Sequence, residues 1–101
     1  ARQVKFNMDD FERLQKWGVI LRSGGSGVDV YRKVLSDIFS KSRDEAESLM
    51  SEIFQVGYVY MHVGAYEIAE QKLYEVTRYL EANKLILPME VLNELDLETT
   101  L

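Results

Sequence analysis

The stretch from Ser42 to Val63 leaves this chain the least freedom. Ser42 is followed three residues later by Glu45, the capping box that opens a helix. Ala46, Leu49, Met50 and Ile53 then recur at helical spacing, and Gly57 stands where a left-handed residue would end the helix. Directly beyond it the period changes. Val59, Met61 and Val63 alternate with Tyr58, Tyr60 and His62, the pattern of a half-buried strand. A helix with a marked start and stop, joined to a strand with almost no loop, requires both elements to bury their apolar sides in one core.

The rest of the chain extends that arrangement. Trp17-Gly18-Val19-Ile20-Leu21 reads as a short buried strand. Val30 and Tyr31, Val34 and Leu35, and Ile38 and Phe39 form pairs on one helix face. From Tyr66 the helical period returns with Ala69, Leu73, Val76 and Leu80 inward, and Asn83 is placed to close that helix. Leu87, Met89 and Val91 alternate in a last strand, in which Pro88 is restricted to an edge or to the first residues. The expected fold is α+β, in the order β-α-α-β-α-β, with the helices on one face of a small, mainly antiparallel sheet. At 101 residues and 47% hydrophobic, the chain has material for one core. The domain is expected over 17–93. Asn7 as N-cap, with Met8, Phe11 and Leu14 on one side, predicts a short helix in an N-terminal extension, 1–16. Residues 94–101 read as an acidic tail.

Charge narrows the partners. Twelve Lys and Arg are scattered among 17 acids, for a net charge of -5, so neither nucleic acid nor an anionic membrane is the expected partner. No cysteine is present, which removes thiolate chemistry, disulfides and cysteine metal sites. No apolar run is long enough to span a bilayer. Ala1 to Phe6 does not read as a signal peptide. The expected location is the cytoplasm, or an organelle stroma after removal of a transit peptide.

Candidate chemistry is sparse. Ser23-Gly24-Gly25-Ser26-Gly27 precedes a helix, but the next residues are Val28 and Asp29 rather than the Lys and hydroxyl of a phosphate loop. Its composition is that of a flexible connector, and equally that of a laboratory linker. His62 is the single histidine and has no ligand-like or orienting partner beside it in sequence. Asp44, Glu45 and Glu47, and later Glu94, Asp96 and Glu98, read as solvated charge. No catalytic residue, metal or cofactor is expected. Tyr58, Tyr60, Tyr66, Tyr74 and Tyr79 crowd one half of the chain, which suits a binding face and structural filling equally.

Three stretches share a telling order and spacing. The first is Val19-Ile20-Leu21 with the later helix Val34-Leu35-x-x-Ile38-Phe39-Ser40. The second is Ala46-x-x-Leu49-Met50-x-x-Ile53-x-x-x-Gly57. The third is Glu67-Ile68-Ala69-Glu70-x-Lys72. Together they resemble a divergent ClpS, the adaptor of Clp-type AAA+ proteases, whose third motif reads Glu-Val-Ala-Glu-x-Lys. The resemblance covers about three quarters of the chain. It implies a non-catalytic adaptor or regulator that docks on the N-terminal domain of a Clp-type unfoldase, with Glu67 and Lys72 as partner contacts. It also implies a pocket for a protein substrate, lined by Ser23, Gly24, Gly25, Val28, Met50, Ile53 and Phe54. The family holds the substrate's free α-amino group with an Asn-Asp-Asp loop and a His. Here those positions carry Ser23-Gly24-Gly25 and Phe54, so the amine clamp is expected to be lost. The alternative is a protein-interaction module of the same fold within another assembly.

Overall fold

A computed structural model describes residues 13–97. The helix expected around Asn7 to Phe11 and the tail beyond Leu97 lie outside the described residues. In chain order the elements are β1 (Trp17–Arg22), α1 (Val28–Lys33) continuing into a π-wound turn (Val34–Ile38), α2 (Arg43–Val56), β2 (Tyr58–Gly64), α3 (Tyr66–Asn83), β3 (Met89–Asn93) and a 3-10 turn (Glu94–Asp96). The sheet is antiparallel with strand order β2-β1-β3. The helices pack on one face of it, as the sequence pattern implied.

Period-2 alternation sets the two sides of the sheet. Val19 stands opposite Met61 and Val91, and Leu21 opposite Val59 and Met89. Val19, Leu21, Val59 and Met61 join Tyr31, Val34, Leu35, Ala46, Met50, Ile53, Ala69, Val76 and Leu80 in one buried cluster. Each fully buried aliphatic side chain of this kind contributes about 1.5–3 kcal/mol before conformational entropy is subtracted. Pro88 directly precedes the edge strand β3, where its missing N–H costs no ladder bond.

The helix ends show their local causes. Ser42 Oγ accepts a hydrogen bond from the Glu45 backbone N–H at 3.2 Å, and the Gly57 N–H donates to Ile53 O at 2.8 Å with Gly57 at φ 106°. In α3 Asn83 is the last helical residue, and Lys84 takes the left-handed position expected of Asn83. Asn83 instead turns its amide back to donate to Tyr79 O at 2.9 Å. Leu73, expected inward, is half-buried at the rim.

The helix read through Ile38 and Phe39 changes winding at Val34, and the Phe39 N–H donates five residues back to Val34 O. The sequence pattern explains this. Apolar pairs four residues apart drift by about 40° per turn on a helix of about 100° per residue. Widening the last turn returns Ile38 and Phe39 to the core, against which both are packed.

The glycine loop is not a loose connector. Ser23 N–H donates to Gly57 O at 2.9 Å, Ser26 N–H donates to Ile86 O at 2.7 Å, and Ser26 Oγ accepts from the Ile86 N–H at 2.6 Å. Gly25 N–H donates to the Tyr31 hydroxyl at 2.9 Å, which in turn donates to Arg22 O at 2.7 Å. A Cβ on Gly25 would lie 2.5 Å from Ile86 O and 2.8 Å from the Tyr31 hydroxyl, so glycine is required there by close approach.

Candidate functional site

The residues expected to act fall on two surfaces: the outward face of α3, and the corner where the glycine loop meets the end of α2.

α3 turns Ala69, Val76 and Leu80 into the core. Positions opposite that stripe are therefore exposed, and Glu67 is among them. Among the described residues it has no partner. Lys72 stands about 140° around the helix from Glu67 at about 100° per residue. Its side chain is only 29% exposed. Lys72 Nζ donates to Ile38 O at 2.8 Å and lies 3.8 Å from a Glu75 carboxylate oxygen. Ile38 ends the π-wound turn, so the ammonium supplies a donor to one of the carbonyls that a helix end leaves unpaired. The expected pair is thus split: Glu67 faces solvent, while Lys72 also secures the segment between α1 and α2.

The family resemblance points to two residues on this helix, and the tyrosine-rich half of the sequence offers Tyr74 as a possible binding residue; the structure sets that tyrosine and others beside Glu67. Glu70, Gln71, Tyr74 and Thr77 line a shallow hollow with it. Tyr74 is 60% exposed, the Arg78 guanidinium lies 5.7 Å from its ring centroid, and Arg78 Nη1 donates to its hydroxyl at 3.0 Å. The available signal was spacing. Glu70, Gln71 and Tyr74 fall three, four and seven positions after Glu67, on the side opposite the apolar stripe, and Thr77, ten positions after it, lies at the flank. At the start of α3 the Glu70 carboxylate, one turn on, raises the Tyr66 pKa above the usual phenol value. The Tyr66 ring meets Trp17 edge to face at 4.7 Å.

At the other corner the expected pocket residues differ in burial. Met50 and Ile53 belong to the buried core, at 3% and 0% exposure. Val28 and Phe54 are about half exposed, and the Phe54 ring stands edge-on to Tyr31 with centroids 5.3 Å apart. Ser23 and Gly24 are exposed. Gly25 has its N–H committed to Tyr31, whose hydroxyl is itself committed to Arg22 O. No carboxylate is contributed by the Ser23-Gly27 loop, and Asp29 just beyond it pairs with Arg32 at 2.8 Å. Arg32 also meets Glu47 at 2.8 Å, a hydrogen bond that raises the Arg32 pKa further above its ordinary value.

The tyrosine-rich strand is largely structural. Tyr60 is half-buried, and its hydroxyl lies 3.1 Å from both Lys16 O and Leu92 O. Burial, with a smaller contribution from Glu94, pushes its pKa up to about 12. His62, without a partner nearby in sequence, gains one from the fold: Nδ1 lies 3.5 Å from a Glu94 carboxylate oxygen. Both side chains are about half exposed, so the pair stands on open surface. Glu94 and Asp96, read as tail charge, are folded back by the 3-10 turn, and Asp96 pairs with Arg13 at 2.6 Å. Among the described residues no group of three His, Cys, Asp or Glu could hold a metal ion, and no helix is long and apolar enough to cross a membrane.

Comparison with known proteins decides among readings that the geometry leaves open. The family model described as ATP-dependent Clp protease adaptor protein ClpS matches residues 28–91. The chain belongs to the ClpS family. A curated relative, the ATP-dependent Clp protease adapter protein ClpS of Treponema denticola, is 30% identical over 73 residues, covering 72% of each chain. A solved structure of Agrobacterium tumefaciens ClpS2 bound to L-phenylalaninamide shares the fold, with a TM-score of 0.66 at 23% identity over 79% of this chain and 100% of that one. ClpS proteins are non-catalytic adaptors that bind the unfoldases of Clp proteases. The ClpS resemblance in the three sequence stretches was therefore sound, as was the α+β arrangement inferred from their order.

Proposed function

We propose that this adaptor docks on the N-terminal domain of a Clp-type AAA+ unfoldase through the face of α3 that carries Glu67, and that it lacks the family's clamp for a substrate's free amine. The exposed carboxylate of Glu67, without a partner among the described residues, carries the docking half of the reading. Lys72 assists from the edge. An ammonium has three donors, and one remains after Ile38 O and Glu75 are served. Family membership supports the unfoldase as the class of partner.

The clamp half rests on acceptor chemistry. A buried ammonium needs carboxylate or carbonyl oxygens to offset its desolvation. The loop offers glycines and serines, its Tyr31 contact is internally satisfied, and Phe54 presents a hydrocarbon ring where the family has an imidazole. The Agrobacterium neighbour is bound to L-phenylalaninamide; in this chain Ser23-Gly24-Gly25 and Phe54 bring no carboxylate or imidazole to an amine. Cargo, if delivered, is then recognised without a free N-terminus.

Affinity capture on an isolated unfoldase N-terminal domain tests the docking half. Wild-type chain binds, and Glu67→Ala weakens binding. No binding by the wild type would sink the reading. Calorimetry with peptides beginning in Leu, Phe, Tyr or Trp tests the other half. No binding is expected, and clear binding that disappears on acetylating the peptide amine would overturn it.

A further inference from the structure

Resting on that docking, we infer that the contact is anchored by Tyr74 and that the unfoldase surface received there is basic around an apolar pit sized for a phenol ring. Glu67, Glu70, Gln71, Tyr74, Thr77, Arg78 and Glu81 form one straight outward stripe of α3, about 21 Å long at about 1.5 Å per residue. Two shallow hollows lie along it and meet at Tyr74 and Thr77.

The chemistry of the stripe selects its occupant. Its charged residues are three carboxylates, Glu67, Glu70 and Glu81, and one guanidinium, Arg78, so its formal charge is -2. An apolar groove would desolvate those carboxylates without compensation. A second copy of this chain, meeting the stripe with its own, would set acid against acid. A basic surface matches it.

Within this acidic strip Tyr74 is the one exposed aromatic ring, at 60% exposure, with the half-buried Leu73 beside it in the same hollow. It is also held ready. Arg78, one turn on, covers its ring at 5.7 Å and donates to its hydroxyl at 3.0 Å, so little rotamer freedom remains to be lost on binding. Ordered, exposed aromatic side chains at the centre of a polar strip are the usual anchors of protein interfaces.

Titration calorimetry of the full chain against the unfoldase N-terminal domain tests this. Tyr74→Ala is expected to weaken binding at least tenfold, and Tyr74→Phe to stay within about threefold of wild type, since ring burial dominates. Glu70→Lys is expected to weaken binding about tenfold and to flatten its salt dependence. Circular dichroism checks that each variant is folded; should Tyr74→Ala be unfolded, Glu70→Lys and the salt dependence decide. Wild-type binding that is unchanged in Tyr74→Ala and in Glu70→Lys overturns the anchor while leaving the docking itself intact. Failure of the wild type to bind overturns both. Self-association of the chain that is abolished by Tyr74→Ala assigns the stripe to a second copy and also overturns the inference.

Discussion

Lys72 Nζ donates to the Ile38 carbonyl oxygen at 2.8 Å, tying the middle of α3 to the end of the π-wound turn. A residue that the family motif presents as a partner contact therefore has work inside the fold. Removing the ammonium leaves a helix-end carbonyl without its donor. Lys72→Met, which keeps the stem, is expected to destabilise by about 1 kcal/mol, discounted because the group is partly solvated. For a domain of this size that lowers the thermal midpoint by roughly 4–8 °C. Thermal unfolding followed by circular dichroism measures it; no change would mean that the contact is incidental.

The close approach at Gly25 yields a sharper contrast. Gly25→Ala places a methyl 2.5 Å from Ile86 O and 2.8 Å from the Tyr31 hydroxyl, both parts of the bonded loop. The expected cost is about 1–3 kcal/mol. Ser23→Ala, two residues away at an exposed site whose hydrogen bond uses the backbone N–H, should stay within about 0.5 kcal/mol of wild type. Urea titration of the two variants separates a built loop from a connector, in which both would be neutral.

Met50 and Ile53 can be told apart from pocket residues by stability alone. Both lie in the core, so Met50→Ala or Ile53→Ala should cost about 2–5 kcal/mol, enough to threaten a small domain. Phe54→Ala loses an exposed edge-to-face contact and should cost about 1 kcal/mol. Comparable midpoints for all three would contradict this division.

Tyr60 predicts an alkaline signature. Its pKa stands at about 12 in the fold against 10.0 for an ordinary phenol. As pH rises past the ordinary value, the unfolded chain releases its proton first, so stability falls toward the folded pKa and levels beyond it. Tyr60 thus contributes stability that is fully present below about pH 10 and lost on approaching pH 12. Tyr60→Phe should remove this contribution, giving a shallower decline over that window in denaturation experiments run pH by pH. Equal slopes for wild type and variant would refute the assignment.

Much of the fold was legible because each element declares itself locally. Ser42 with Glu45 marks a helix start, Gly57 its stop, and Val59, Met61 and Val63 a strand side, all within a few residues of backbone. The change of winding at Val34 was present only as a four-residue recurrence, which acquires meaning once the core position of Ile38 and Phe39 is known. On the site side, Glu67 could be placed from helical phase, since exposure opposite an apolar stripe follows from geometry.

What the sequence determined by itself was therefore the period of each segment, the sides those periods define and the chemistry the chain lacks. Tertiary structure decided the long-range pairings. Lys72 with Ile38, His62 with Glu94, Gly25 with Tyr31 and Ile86, and the burial of Met50 and Ile53 in the core all depend on which segments meet. Local periodicity cannot encode such meetings. It fixes the direction of a side chain from its own backbone, whereas hydrogen bonds and burial are settled by what the rest of the chain brings within a few ångströms.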